Sequence, residues 1–152
     1  MSDPIRVQVM GMDAVRAAMN EFGQSVIDGI QQAIEATALE AMTDVRKAIQ
    51  GPPKTGALYK RGSKVHRASA PGEAPATDTG ALASSIYYER PDPLTAAIGS
   101  RLEYAFFLEF GTRHIRPRKS WLPAAERAAP RLQKRVERVI RDAKDKAGGA
   151  AK

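Results

Sequence analysis

From residue 25 onward the apolar side chains recur at steps of three and four. They are Val26, Ile30, Ile34, Ala38 beside Thr37, Ala41, Val45 and Ile49 beside Ala48. Such spacing puts one apolar stripe on one side of a helix, and it predicts a helix over Ser25–Gln50, about 39 Å long at 1.5 Å per residue. Gly51-Pro52-Pro53 stops it. Upstream, Ile5, Val7 and Val9 alternate with Arg6 and Gln8, the period of a half-buried strand. Asp13 then caps a short helix to Phe22, and Gly23 ends it.

The pattern then fades. Residues 51–78 hold five Lys or Arg, four Pro and four Gly, with few large apolar side chains. They predict a long mobile loop without regular structure, of the kind that is usually functional. Periodicity returns after Thr79 with a short helical turn, a strand near Ser85–Glu89, a turn at Pro91-Asp92-Pro93 and a returning strand at Leu94–Gly99. Tyr104–Phe110 is almost continuously apolar, so periodicity does not separate strand from helix. Leu108-Glu109 and the following Gly111 favour a helix with a glycine C-cap. His114–Arg116 is expected to return to the sheet. A last helix opens at Leu122-Pro123-Ala124 with the stripe Ala125, Ala129, Leu132, Val136, Val139, Ile140 and Ala143, which Pro130 should kink or split. The fold class is therefore α+β. A long helix in the N-terminal half and a C-terminal helix pack on a small antiparallel sheet, as one domain over 1–146 with a frayed tail at 147–152.

Charge changes this picture. The chain carries a formal +7, unevenly spread. Residues 1–50 have four basic and seven acidic side chains, and residues 113–152 have thirteen and four. Basic groups mark the loop (Lys54, Lys60, Arg61, Lys64, Arg67) and the last helix, where Arg131, Arg135 and Arg138 follow helical spacing. Such a row suits nucleic acid or an acidic protein surface. Only Tyr59 interleaves the basic loop, whereas single-strand binders use several stacking aromatics. Duplex contact through phosphates needs charge alone and stays open. The last helix is expected to dock its apolar stripe on the long helix and to leave the arginine row outside. There the row would meet Glu35, Glu40 and Asp44 of a neighbouring copy.

Three of the four Phe and the only Trp fall within 104–121. Aromatics dominate packing, so Tyr104, Phe107, Phe110 and Trp121 are candidate anchors of the core or of an interface. Thr79, Gly80, Leu82 and Gly111 join them as fold positions. Candidate chemistry is sparse. No cysteine is present, which removes disulfides, thiolate catalysis and cysteine metal sites. His66 and His114 lie in no metal-ligand spacing, Glu103 and Glu109 would sit on different helix faces, and no phosphate-cradling glycine motif occurs. No catalytic, cofactor or metal residue is assigned. No apolar run approaches the roughly 18 residues of a membrane span, so the chain is expected to be soluble, with no membrane partner.

Pro71-Gly72-Glu73-Ala74-Pro75, Asp78-Thr79-Gly80-Ala81-Leu82, Ser84-Ser85-Ile86, Tyr104-Ala105, Leu108-Glu109-Phe110-Gly111-Thr112, Arg116-Pro117 and Leu122-Pro123-Ala124 follow one another in order. The ordered set resembles the head–tail joining or tail-completion family of long-tailed double-stranded DNA phages, the Hong Kong ninety-seven gene-product-ten-like proteins, over about residues 4–130. Lys119-Ser120-Trp121 departs from the compact Arg-Pro-Phe-Leu segment usual there, with Trp121 in the place of Phe. The resemblance implies a non-catalytic virion subunit, made in the host cytoplasm. It would form a ring, a hexamer, at the neck against head-closure or tail-tube and terminator proteins. Whether packaged DNA is touched is not implied. A basic DNA-binding protein using the last helix and the loop is the alternative.

Overall fold

The apolar stripe of the long helix organises the molecule. The computed structural model describes residues 6–8, 23–51 and 53–149, so the expected helix from Asp13 to Phe22 lies outside the described residues. Strand β1 is Arg6–Gln8, and helix α1 is Gln24–Gln50. Val26, Ile30, Ile34, Ala38, Ala41, Val45 and Ile49 on α1 are all buried, as their spacing requires. After the short helix α2 (Ala81–Ser84) come strands β4 (Ile86–Asp92) and β5 (Thr95–Ser100), then α3 (Tyr104–Phe110) and α4 (Trp121–Gly149). Strands β2 (Leu58–Arg61) and β3 (Lys64–Arg67) form a separate hairpin within 51–78.

The sheet has the order β1-β5-β4, antiparallel throughout. Val7 faces Ile98 across one ladder and Tyr88 faces Ile98 across the other. The central strand β5 is therefore buried, and it turns Ala96 and Ile98 into the core that holds the α1 stripe, while Ala97 and Gly99 lie on the other face. The register of β4 shifts between Glu89 and Asp92. Pro91 lies in that interval and has no N–H for the ladder, so an irregularity there is expected.

Helix α4 crosses back over α1. Its buried side begins with Trp121, Ala124 and Ala128 and continues through the half-buried Leu132, Val139 and Ala143. The expected stripe was one residue out of register in the first turns, because Ala125 and Ala129 are not the buried pair. Gly29 of α1 lies beneath Val139: a Cβ there would sit 2.7 Å from Val139 Cγ1. Helix α4 runs for 29 residues without being split at Pro130. That residue is on the exposed face, so the carbonyl of Glu126, left without its N–H donor, can turn to water.

Residues 112–119 do not return to the sheet as expected. His114–Arg116 forms a turn instead, closed by Thr112 N–H to Ile115 O at 2.8 Å. Gly111 sets it up at φ 78°, and a Cβ on it would meet Ile115 O at 2.7 Å.

Candidate assembly surfaces

Three surfaces carry the residues singled out in the sequence. The first is the seam between α1 and α4. Arg131 Nη1 lies 2.9 Å from Asp44 Oδ2, and Arg127 Nε lies 3.4 Å from the same oxygen. Arg135 grips both carboxylate oxygens of Glu40 and donates to Thr37 Oγ1 at 3.0 Å. Thr37 is buried, and its hydroxyl donates a hydrogen bond to Ala33 O at 2.7 Å. The Arg135 hydrogen bond, with the charges of Arg135 and Arg131, holds the Glu40 carboxyl below its usual range. These are the very partners the sequence offered, but they meet inside one chain. The arginines flank the apolar stripe of α4, and their long stems carry the guanidinium groups across the helix contact to α1. The sequence placed these pairs between neighbouring copies; Arg131 and Arg135 instead reach Asp44 and Glu40 of their own chain. Glu35 is also engaged at home, 3.7 Å from Arg90. Arg138 is exposed.

The second surface is the basic segment. It is not without regular structure: β2 (Leu58–Arg61) and β3 (Lys64–Arg67) form an antiparallel hairpin over Gly62-Ser63. The signal was present, since a two-residue Gly-Ser connection between short runs is a hairpin turn, and Gly62 indeed has φ 62°. The basic composition and the prolines obscured it. Two acidic residues tie the arm down. Glu73 accepts from Thr55 N–H, Thr55 Oγ1 and Ala70 N–H, at 3.1, 2.6 and 2.7 Å. Those bonds, the Thr55 hydroxyl first, lower its pKa to about 2. Asp78 holds His66 Nε2 at 2.9 Å and also Arg61. Lys54 donates to Ala48 O at 2.8 Å in the last turn of α1, and its burial pulls its pKa down. Arg67 donates to Gly56 O at 3.3 Å. Lys60 and Lys64 are exposed.

The third surface is α3. Its inner side is Ala105, Leu108 and Glu109, and its outer side is aromatic. Tyr104, Phe106, Phe107 and Phe110 remain 44, 38, 40 and 62% exposed. Phe107, Phe110 and Tyr104 therefore do not anchor the subunit's own core, because a seven-residue helix can turn only one side inward and that side is taken. Phe106 packs against Phe110 with the rings tilted at 43° and 4.7 Å between their centres. Trp121, 2% exposed, and Leu82 are the residues of the anchor group that enter the core. Thr79 and Gly80 precede α2, where Thr79 Oγ1 accepts from Ala81 N–H at 3.3 Å.

Glu109 was missed. It is 3% exposed and accepts the backbone N–H groups of Ser120, Trp121 and Leu122 at 2.8, 3.1 and 2.8 Å. Those are free donors at the start of α4, where the helix dipole also favours a negative charge. Leu108 O, next to it, accepts from Arg118 N–H at 2.7 Å. One carboxylate thus closes the loop from α3 to α4. Nothing in local spacing reveals a cap supplied from another helix eleven residues upstream.

An open polar depression of about 470 Å³ is lined by Leu39, Glu40, Thr43, Asp44, Lys47 and Arg131. Among the described residues no cluster of His, Asp and Glu could hold a metal ion, and no helix is long and apolar enough to cross a membrane.

Compared with known families, residues 13–111 match the HK97-gp10-like model, described as a bacteriophage HK97-gp10 tail component. No curated protein and no solved structure matched.

Proposed function

We propose that this chain, which belongs to the HK97-gp10-like family of bacteriophage tail components, is the subunit of a ring that joins head to tail. The ring would be a homo-oligomer, a hexamer, set between head-closure and tail-tube or terminator proteins. The subunit would collect in the host cytoplasm before assembly and act without catalysis. The observation that carries the reading is the aromatic outer face of α3. The largest apolar patch on a monomer, typically ~300–600 Å², is often an interaction site. Family membership supplies the setting.

The DNA-binding alternative loses ground on geometry. Arg127, Arg131 and Arg135 are engaged by Asp44 and Glu40 of the same chain. Of the row Arg131, Arg135 and Arg138, only Arg138 is exposed, with Lys134 and Arg141 exposed near it on the same helix.

The test is a null mutant of the phage or prophage. Filled heads and separate tails should accumulate, seen by negative-stain imaging. Normal infectious particles from the null would refute the neck assignment.

A further inference from the structure

We propose that the β2–β3 hairpin of one copy docks on the aromatic face of α3 of the next. The inference rests on the ring reading and names its subunit contact.

The register of the hairpin sorts its side chains into two faces. Residues directly opposite each other share a face, and the face alternates along each strand. Tyr59 pairs with His66 and Arg61 with Lys64, so these four share one face. That face is turned to its own chain, since Asp78 holds both His66 and Arg61. Leu58 pairs with Arg67 and Lys60 with Val65, which puts Leu58 and Val65 together on the other face. They are 58 and 59% exposed. An aliphatic pair is thus held out on an arm, more than half exposed and outside the core cluster.

The α3 face fits it in area and in charge. At ~200 Å² for each aromatic side chain, the observed exposures leave roughly 370 Å² of aromatic surface in water. One partner in a standard interface brings ~800 Å², of which somewhat over half is non-polar. The aromatic face therefore supplies most of the non-polar area that such an interface needs from one side. Lys60 lies beside Val65 on the docking face, and an ammonium is attracted to an aromatic ring face. Glu103, exposed at the start of α3, offers that lysine a carboxylate. Arg113 and Arg116, exposed beyond the other end of α3, repel it. Like and unlike charges together orient the hairpin toward Glu103.

Because the two surfaces differ, the contact is heterologous. Each copy offers both a hairpin and a receiving face, and successive copies close into a ring when the rotation allows.

The absence of cysteine makes the test clean. Val65→Cys and Phe107→Cys are introduced singly and together in the full chain, and a short bis-maleimide is added. Both positions are exposed, so melting temperatures should stay at the parent value. The double variant should give a ladder of linked multimers. The two single variants should give linked dimers when mixed and none alone. Glu103→Lys should lower the linked fraction several-fold. Linked dimers from Val65→Cys alone would mean a two-fold contact and overturn the proposal. No links while light scattering still shows oligomers would also overturn it and leave the ring reading standing. A chain that stays monomeric at every concentration, unlinked, would remove both.

Discussion

Replacing Glu109 by Ala should be the most damaging single change on the surface of contact between α3 and α4. Three backbone N–H groups would lose their acceptor in a region where Ser120 and Trp121 are 2% exposed. A hydrogen bond to a charged group contributes ~1.5–3 kcal/mol net, and a buried donor left unpaired costs ~1–3 kcal/mol. The three bonds share one carboxylate and are not additive. Loss of an ordinary cap costs up to ~2 kcal/mol. A total of about 3–4 kcal/mol follows from combining the cap loss with one stranded donor. At roughly 2–4 °C per kcal/mol for a chain of this size, the melting temperature should fall by about 10 °C. Glu109→Gln keeps one carbonyl oxygen but brings an amide toward a donor, so it should lose about half as much. Circular dichroism melts at neutral pH measure both. Phe110→Ser, one residue along on the exposed side, is the control and should leave the monomer's melt within about 2 °C. If Glu109→Ala also stayed within that margin, the cap would not hold α4 in place, and the reasoning would fail.

Other predictions concern the remaining contacts. Removing Arg135 or Glu40 by alanine should cost only about 0.5–1 kcal/mol because the pair is partly in water, and a double-mutant cycle run at rising salt should show the coupling shrink. Gly29→Ala gains ~1 kcal/mol of helix propensity; it nonetheless should destabilise by about 1–2 kcal/mol through the collision with the stiff Val139. Val139→Ala in the same chain should recover part of that loss in denaturant titrations. The lowered pKa of Glu73, about 2, means that its ionised form favours the folded arm. Its contribution is complete above the ordinary carboxyl pKa near 4.5 and disappears as pH falls from there toward 2. Protection of the Thr55 and Ala70 amides, measured against the unstructured exchange rate at the same pH, should therefore persist at pH 5 and be lost toward pH 2, and in Glu73→Gln it should be low throughout. Equal protection in that variant would refute the clasp.

Legibility in the sequence followed the kind of force at work. Helix α1 was readable to within a residue because one long stripe of branched apolar side chains has a single period. Helix α3 and its Gly111 stop were readable for local reasons too. The faces were harder. Phe107 and Phe110 looked like core from their residue type, yet which side of a seven-residue helix turns inward depends on the elements around it. The first turns of α4 consist of alanines on more than one side, so their spacing fitted two registers. Of the arginine row, Arg131 and Arg135 lie beside two of the three acids named with it, Asp44 and Glu40, while Glu35 meets Arg90. Whether such pairs form within a chain or between chains is a matter of helix crossing, which no local pattern encodes. Glu73, Asp78 and Glu109 make their long contacts across 11 to 18 residues of sequence, beyond the reach of a capping-box or turn rule, and so went unseen.

The pairing of α1 with α4 also sets an order of events during synthesis. Asp44 and Arg131 are 87 residues apart in the chain, and Glu40 and Arg135 are 95 apart. Contacts between such distant segments form late and slow folding. While the ribosome is still making the segment before Trp121, the stripe from Val26 to Ile49 has only the small sheet and α2 to cover it. A nascent chain in that condition shows a long greasy helix to its surroundings and is prone to aggregate. Premature termination ahead of α4 should therefore yield insoluble product rather than a shortened working subunit, and a phage with a nonsense mutation there should leave its tails unfinished while littering the host with inclusion bodies.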